Sequence, residues 1–361
     1  MAGLRRLSVL LSCLAITCIA VCQTPPQVAP VPRDPLEPST GATFVPDTPQ
    51  QRASVLALVE RARQNSDLHM ATMPPFALKV SFTSGGQSQY TGAGDLEQTW
   101  LSGRMWRWSA HLGSFSITRV GGGGGIYDEQ RTGPIPMRVH MLRNAVFWPV
   151  LNFSSGALIR IASAKWNGLD VMCVLVSRQD NPPTATPGRR WEEMEYCIDV
   201  HEGLLRLVSE APGIYVTYDY RDPLRFHGRI LPRQITITEG ETTVIAARLE
   251  SITDPVSTDA SQFLPTPQMK SSGPATVLMM PGRFAQFVPL AQGPVGNVQP
   301  VMVVAEIGDD GKVLEAEVLQ DSNPALSRQA LEVVRKTKYP PRKDVGVPQQ
   351  RQWYINVRFG S

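Results

Sequence analysis

Between Phe76 and Ile252 apolar and polar positions alternate in short runs. Leu78, Val80 and Phe82 interleave with Lys79, Ser81 and Thr83, and Phe115 and Ile117 with Ser116 and Thr118. Ile214, Val216 and Tyr218 interleave with Tyr215, Thr217 and Asp219, and Ile235 and Ile237 with Gln234, Thr236 and Thr238. A period of two, broken by Gly, Asn and Pro turns, predicts antiparallel strands with one wet face. About eleven or twelve such runs exceed what a flat sheet holds and predict one that curls.

Two segments follow the helical period instead. From Gln51 to Ser66, Val55, Leu58, Val59 and Ala62 form a stripe opposite Arg52, Glu60, Arg61 and Arg63. From Pro136 to Trp148, Met137, Met141, Leu142, Ala145 and Trp148 recur at helical spacing, and Pro149 stops the run. A helix among strands has to bury its stripe. It is predicted to cover the concave face of the sheet, with Met141, Leu142 and Ala145 inward.

The C-terminal part repeats the strand period, then changes it. Val301–Ile307 and Lys312–Leu319 flank the tight turn Gly308-Asp-Asp-Gly311. Asn323 and Pro324 open a helix with Leu326, Ala330, Leu331 and Val334 on its buried side, and Tyr339-Pro-Pro341 ends it. Trp353, Ile355, Val357 and Phe359 then mark a last strand. The ββαβ order predicts a three-stranded antiparallel sheet over residues 299–359, one face packed on the helix and the other wet.

These patterns divide the chain into 1–22, a leader; 23–50, a linker with eight prolines; 51–254, the curled sheet; 255–297, a second linker; and 298–361, the small module. The fold class is mainly β (α+β): an unclosed antiparallel half-barrel with covering helices, plus the ββαβ module. In the leader, Arg5 and Arg6 precede the uncharged 16-residue run Leu7–Cys22, the parts of a secretory signal peptide. The run is shorter than the roughly 20 residues of a comfortable span. A retained signal anchor is the alternative.

Composition changes little in this picture. Of 361 residues 42% are hydrophobic and 19% charged, a globular balance. Arg5 and Arg6 account for two of the three excess positive charges, and no basic stripe follows, which excludes nucleic acid as a partner class. Outside the leader only Cys173 and Cys197 remain, each in an apolar strand run, with the turn-rich Asn181–Gly188 midway between them. A hairpin there would set them opposite each other as a disulfide, which an exported compartment permits. Two buried free thiols are the alternative.

Candidate chemistry is sparse. His69, His111, His140, His201 and His227 show no metal-ligand spacing and read as surface or capping residues, so no metal or cofactor is expected. Gly121–Gly125 has no following Lys-Ser or Lys-Thr and reads as a hairpin loop rather than a phosphate cradle. There is no nucleophile elbow, and no catalytic residue is assigned. Trp106 and Trp108, two apart on a strand, project from one face. With Phe147 and Trp148 they would line an apolar cavity for a lipid or other apolar ligand, or simply fill the core beneath the helix.

Two resemblances add to these readings. Val303-Val-Ala-Glu-Ile307, Gly311-Lys-Val313, Val318-Leu-Gln320, Asn323-Pro-Ala-Leu326, Ala330-Leu-Glu-Val-Val-Arg335 and Tyr339-Pro340, with the last strand, resemble the C-terminal domain of the TonB family. The family's proline-tyrosine-proline lead-in is missing, and Thr337 replaces a usual aromatic. The order of elements from Gln51 to Ile252 is similar to the periplasmic lipoprotein-carrier (LolA/LolB-like) fold. Cys197-Ile-Asp-Val-His-Glu-Gly-Leu-Leu205 resembles a stretch in TonB-like envelope proteins that join such a domain to a TonB module.

The resemblances imply a non-enzymatic protein of the periplasm or envelope of a Gram-negative-type bacterium, exported or anchored in the inner membrane by its leader. They imply strand addition of an outer-membrane or periplasmic partner at the edge Trp353, Ile355, Val357 and Phe359. The histidine of the TonB membrane helix that couples to a proton-driven motor has no counterpart in Leu7–Cys22. The competing classes are an exported hydrolase with an unrecognised site and a purely structural envelope component.

Overall fold

Alternation becomes sheet throughout the span it marks. The computed structural model describes residues 43–122, 124–129, 133–153, 157–177, 189–190, 193–274, 285–291, 301–320, 324–340 and 350–359. The leader with its cysteines, the linker up to residue 42, the turn between the cysteine strands and the Asn323 cap lie outside the described residues.

The strands are β1 (Thr43–Val45), β2 (Phe76–Ser84), β3 (Gly92–Ser102), β4 (Met105–Leu112), β5 (Phe115–Gly122), β6 (Gly125–Glu129), β7 (Ile159–Trp166), β8 (Leu169–Ser177), β9 (Glu193–Asp199) and β10 (Leu205–Ala211). They continue as β11 (Ile214–Asp219), β12 (Leu224–Phe226), β13 (Arg229–Leu231), β14 (Gln234–Glu239), β15 (Thr242–Thr253), β16 (Lys270–Pro274), β17 (Ala285–Ala291), β18 (Val301–Ile307), β19 (Val313–Gln320) and β20 (Arg351–Phe359). The helices are α1 (Pro49–Ser66), α2 (Met137–Phe147) and α3 (Pro324–Lys336).

Fourteen strands form one antiparallel sheet in the order β1-β7-β8-β9-β10-β11-β14-β15-β2-β3-β4-β5-β6-β16. Its end members β1 and β16 do not pair with each other, so the barrel stays unclosed. The hairpin β12–β13 stands apart as a small sheet of its own. Register sets Cys173 of β8 against Cys197 of β9, and the two are disulfide-bonded with Cα atoms 4.0 Å apart.

Each helix starts and stops where local chemistry directs. Thr48 caps α1 by accepting from the Gln51 amide, and Pro49 occupies the first turn, where a missing N–H costs nothing. Val55, Val59 and Ala62 are its buried side. Pro136 precedes α2, and Pro149 follows Trp148. Met141, Leu142 and Ala145 of α2 are buried as predicted, and the Tyr218 hydroxyl of β11 donates to the Ala145 carbonyl at 3.2 Å.

Every residue of α2 is buried, however, including Arg138, His140, Arg143 and Asn144. A helix lying on a sheet with solvent behind it would keep such residues wet. The second cover is the C-terminal sheet.

That sheet differs from the expectation in two ways. It has four strands in the order β17-β20-β18-β19, because the linker itself supplies β17, which runs parallel to β20. Along β18 neither face is wet. Val301, Val303, Ala305 and Ile307 pack with Leu326, Ala330 and Val334 of α3, while Met302, Val304, Leu319 and Tyr354 join the core of the large sheet. The strand period thus serves two different cores, one on each side. Gly213, in the β10–β11 turn with φ 91°, makes this approach feasible. A Cβ there would lie 2.6 Å from the Leu319 carbonyl oxygen.

Candidate functional site

The four aromatic residues selected from the sequence occupy two neighbouring elements, β4 and the end of α2. Trp106, Trp108 and Phe147 are buried, and Trp148 is half-buried. Trp106 packs against the backbone of Gly121, its register partner on β5. The other three converge on a residue the sequence reading did not select. The Arg143 guanidinium carbon lies 4.1 Å from the Trp108 ring centroid and 5.6 Å from those of Phe147 and Trp148. A cation over aromatic faces is attracted by their quadrupoles.

His69, just after α1, completes the cluster. It is stacked on Trp100 at 4.2 Å and on Phe147 at 4.6 Å, with Trp148 edge-on at 4.4 Å. Burial first, and then the Arg143 charge, hold its pKa well below the usual histidine range, so the ring is neutral. Its Nε2 lies 2.6 Å from the Gln98 side-chain amide nitrogen. With the amide donating, the ring proton sits on Nδ1.

The other histidines divide by environment. His111 and His227 are exposed and face Asp95 and Asp254, and His201 is exposed. His69 and His140 are buried, contrary to the surface role expected, because each lies under a second layer that local sequence does not announce.

A second polar cluster joins the large sheet to the C-terminal module. Arg138, fully buried on α2, donates to both carboxylate oxygens of Glu239 on β14, at 2.5 and 3.1 Å, and to Glu317 on β19. His140 Nδ1 lies 2.9 Å from Glu306 on β18, and the Asn144 amide nitrogen 3.5 Å from Gln352 on β20. Between α2 and this sheet the structure leaves a cavity of about 10 Å³, room for no more than a water.

Two carboxylates share the one guanidinium. Burial, and next the neighbouring Glu239, push the Glu317 carboxyl up to about 8. Its folded pKa therefore exceeds the unfolded one, and the native protein holds a proton that the unfolded chain releases. Stability from this group is largest below the ordinary carboxylate range and falls as pH rises to about 8. Urea midpoints of wild type and Glu317→Gln should diverge between pH 5 and 8.5, with the wild type losing more. Parallel pH dependences would refute the shared proton.

The anticipated docking strand, with Trp353, Ile355, Val357 and Phe359, is β20. It pairs with β18 on one side and, in parallel, with β17 on the other, from Ala285 opposite Tyr354 to Ala291 opposite Phe359. No described helix is long and apolar enough to cross a membrane.

Residues 296–360 match the family model described as Gram-negative bacterial TonB protein C-terminal. No curated protein matches the chain. Among solved structures it is similar to a LolA superfamily protein from Nitrosomonas europaea, at 9% identity and TM-score 0.38, over 58% of this chain and 97% of that one. A lipoprotein-sorting domain from Vibrio parahaemolyticus is similar at 11% identity and TM-score 0.34, over 59% and 95%. The MucA/MucB complex of Pseudomonas aeruginosa is similar at 13% identity and TM-score 0.25, over 73% and 81%.

Proposed function

We propose that this chain is a non-enzymatic envelope protein of the periplasm, whose sheet domain holds an apolar ligand and whose C-terminal module docks an extended segment of an envelope protein. The observation that carries the reading is the parallel pairing of β17, which precedes the segment matched to the TonB C-terminal family, on β20, the last strand of that segment. The last strand accepts an added strand through its backbone, and the chain's own linker fills that place. The aromatic cluster around Phe147 and Trp148 supports the ligand half of the reading.

A tethered strand competes at an effective concentration near the millimolar range typical of short linkers. Replacing both Gln286 and Phe287 with proline removes an N–H directed at β20 whichever of the two supplies it. In the full chain that variant should bind extended peptides from outer-membrane and periplasmic proteins at least about tenfold more tightly than the wild type. Amide shifts should map to β20. Binding equal in the two proteins, or mapped elsewhere, would remove the docking role and leave only the fold.

A further inference from the structure

Arg143 is a buried charge without a counter-charge. It retains 6% exposure and makes no ion pair among the described residues. The cation whose charge acts on it is Arg119, which is itself committed to Asp128 by two hydrogen bonds of 2.5 and 2.8 Å. Arg119 therefore brings no free carboxylate to its neighbour. Burial, and then Arg119, lower the Arg143 pKa to about 9, still charged at neutral pH. Moving an ion out of water is costly unless something pairs with it. Aromatic faces recover only part of that cost.

Four polar atoms around the same rings are buried and unpaired. Arg143 Nε, Trp108 Nε1 and His69 Nδ1 all lack a hydrogen-bond partner among the described residues, as does Gln98 Oε1. Three of these four are N–H donors, given the His69 tautomer set by Gln98. Nearly all buried polar groups in folded proteins are satisfied, so a cluster of orphaned donors beside an unpaired cation calls for an acceptor with negative charge. The surrounding surface is aromatic, with half-buried Trp148 as its most accessible member.

We propose that Arg143 and the donors beside it receive the anionic head of an amphiphile, whose apolar body lies along the aromatic rings of α2 and β4. This rests on the apolar-ligand reading above and gives that ligand a charge. Carboxylate and phosphate heads share the required chemistry.

The test uses the full chain with the fluorescent fatty acid cis-parinaric acid and its uncharged methyl ester, at pH 7.5. The acid should bind at least tenfold more tightly than the ester, and Arg143→Met should abolish that advantage. Competition by laurate and by dodecyl phosphate separates the two sources of charge: equal displacement assigns the selectivity to charge alone, unequal displacement to one headgroup. If acid and ester bind alike to the wild type, the anion site is refuted and the apolar-ligand reading survives. If the acid keeps its advantage in Arg143→Met, the anion is held elsewhere and the proposal is again refuted. If neither probe binds, both readings fall. If the variant does not fold, equal binding of acid and ester by the wild type still refutes the anion site.

Discussion

Arg138→Met should destabilise the protein by about 3–5 kcal/mol at pH 8, the usual cost of removing one partner from a buried ionic group. The side chain is fully buried and bonded to carboxylates on two different elements, Glu239 and Glu317. Methionine fills much of its volume, so a cavity is not the cause. The loss comes from two carboxylates left facing each other in a site with little solvent. Protonation relieves that repulsion, so the penalty should shrink at pH 5. Combining Arg138→Met with Glu239→Gln and Glu317→Gln removes the charges altogether and should recover most of the stability. Chemical denaturation of the three proteins at both pH values checks this. A loss under about 1 kcal/mol at pH 8 would mean that water reaches the site and screens it.

The second large effect belongs to the disulfide. Cys173 and Cys197 close a loop with a sequence separation of 24. Tethering a loop of that size restricts the unfolded chain by roughly 3 kcal/mol, within the 2–5 kcal/mol typical of native bridges. Reduction of the wild type should lower stability by about that amount, and replacing both residues with serine should lower it at least as much, measured under oxidising conditions. Both positions are fully buried between β8 and β9, so the serine hydroxyls would add a further desolvation cost. A wild type unaffected by reductant would show that the strands, not the bridge, hold this corner together.

The sheet was legible because its signal is local. Alternation such as Leu78-Lys79-Val80-Ser81-Phe82 needs only neighbouring residues to declare a strand, and β2 follows it. Twelve strands of the large sheet lie between Phe76 and Ile252, in line with the runs counted there. The apolar side of α2 was legible for the same reason, and so was Cys173 opposite Cys197. What escaped were the contacts between layers. Arg138, His140 and Asn144 look like the wet side of an amphipathic helix, and only the arrival of β18, β19 and β20 makes them interior residues. Ala285–Ala291 has the composition of a linker, and nothing in it announces that it pairs with a strand some seventy residues later. Arg143 was hidden by the same logic. An arginine five positions before a tryptophan has no helical face in common with it by spacing alone, and the convergence with Trp108 arises from the curl of the sheet.

The placement of β2 beside β15 governs the order in which this protein can be built. Residues 76–84 wait for residues 242–253 before the middle of the large sheet exists. Until then β2 to β6 and β7 to β14 are two separate meanders, each with an open, apolar margin where the other should be. Pairing across so long a stretch of chain makes loop closure the slow step, and the two margins are the surfaces on which a neighbouring chain could pair instead. The protein's exposure to misassembly is therefore set by how soon β15 emerges and finds β2, and a chain interrupted before Thr242 would carry both open margins permanently.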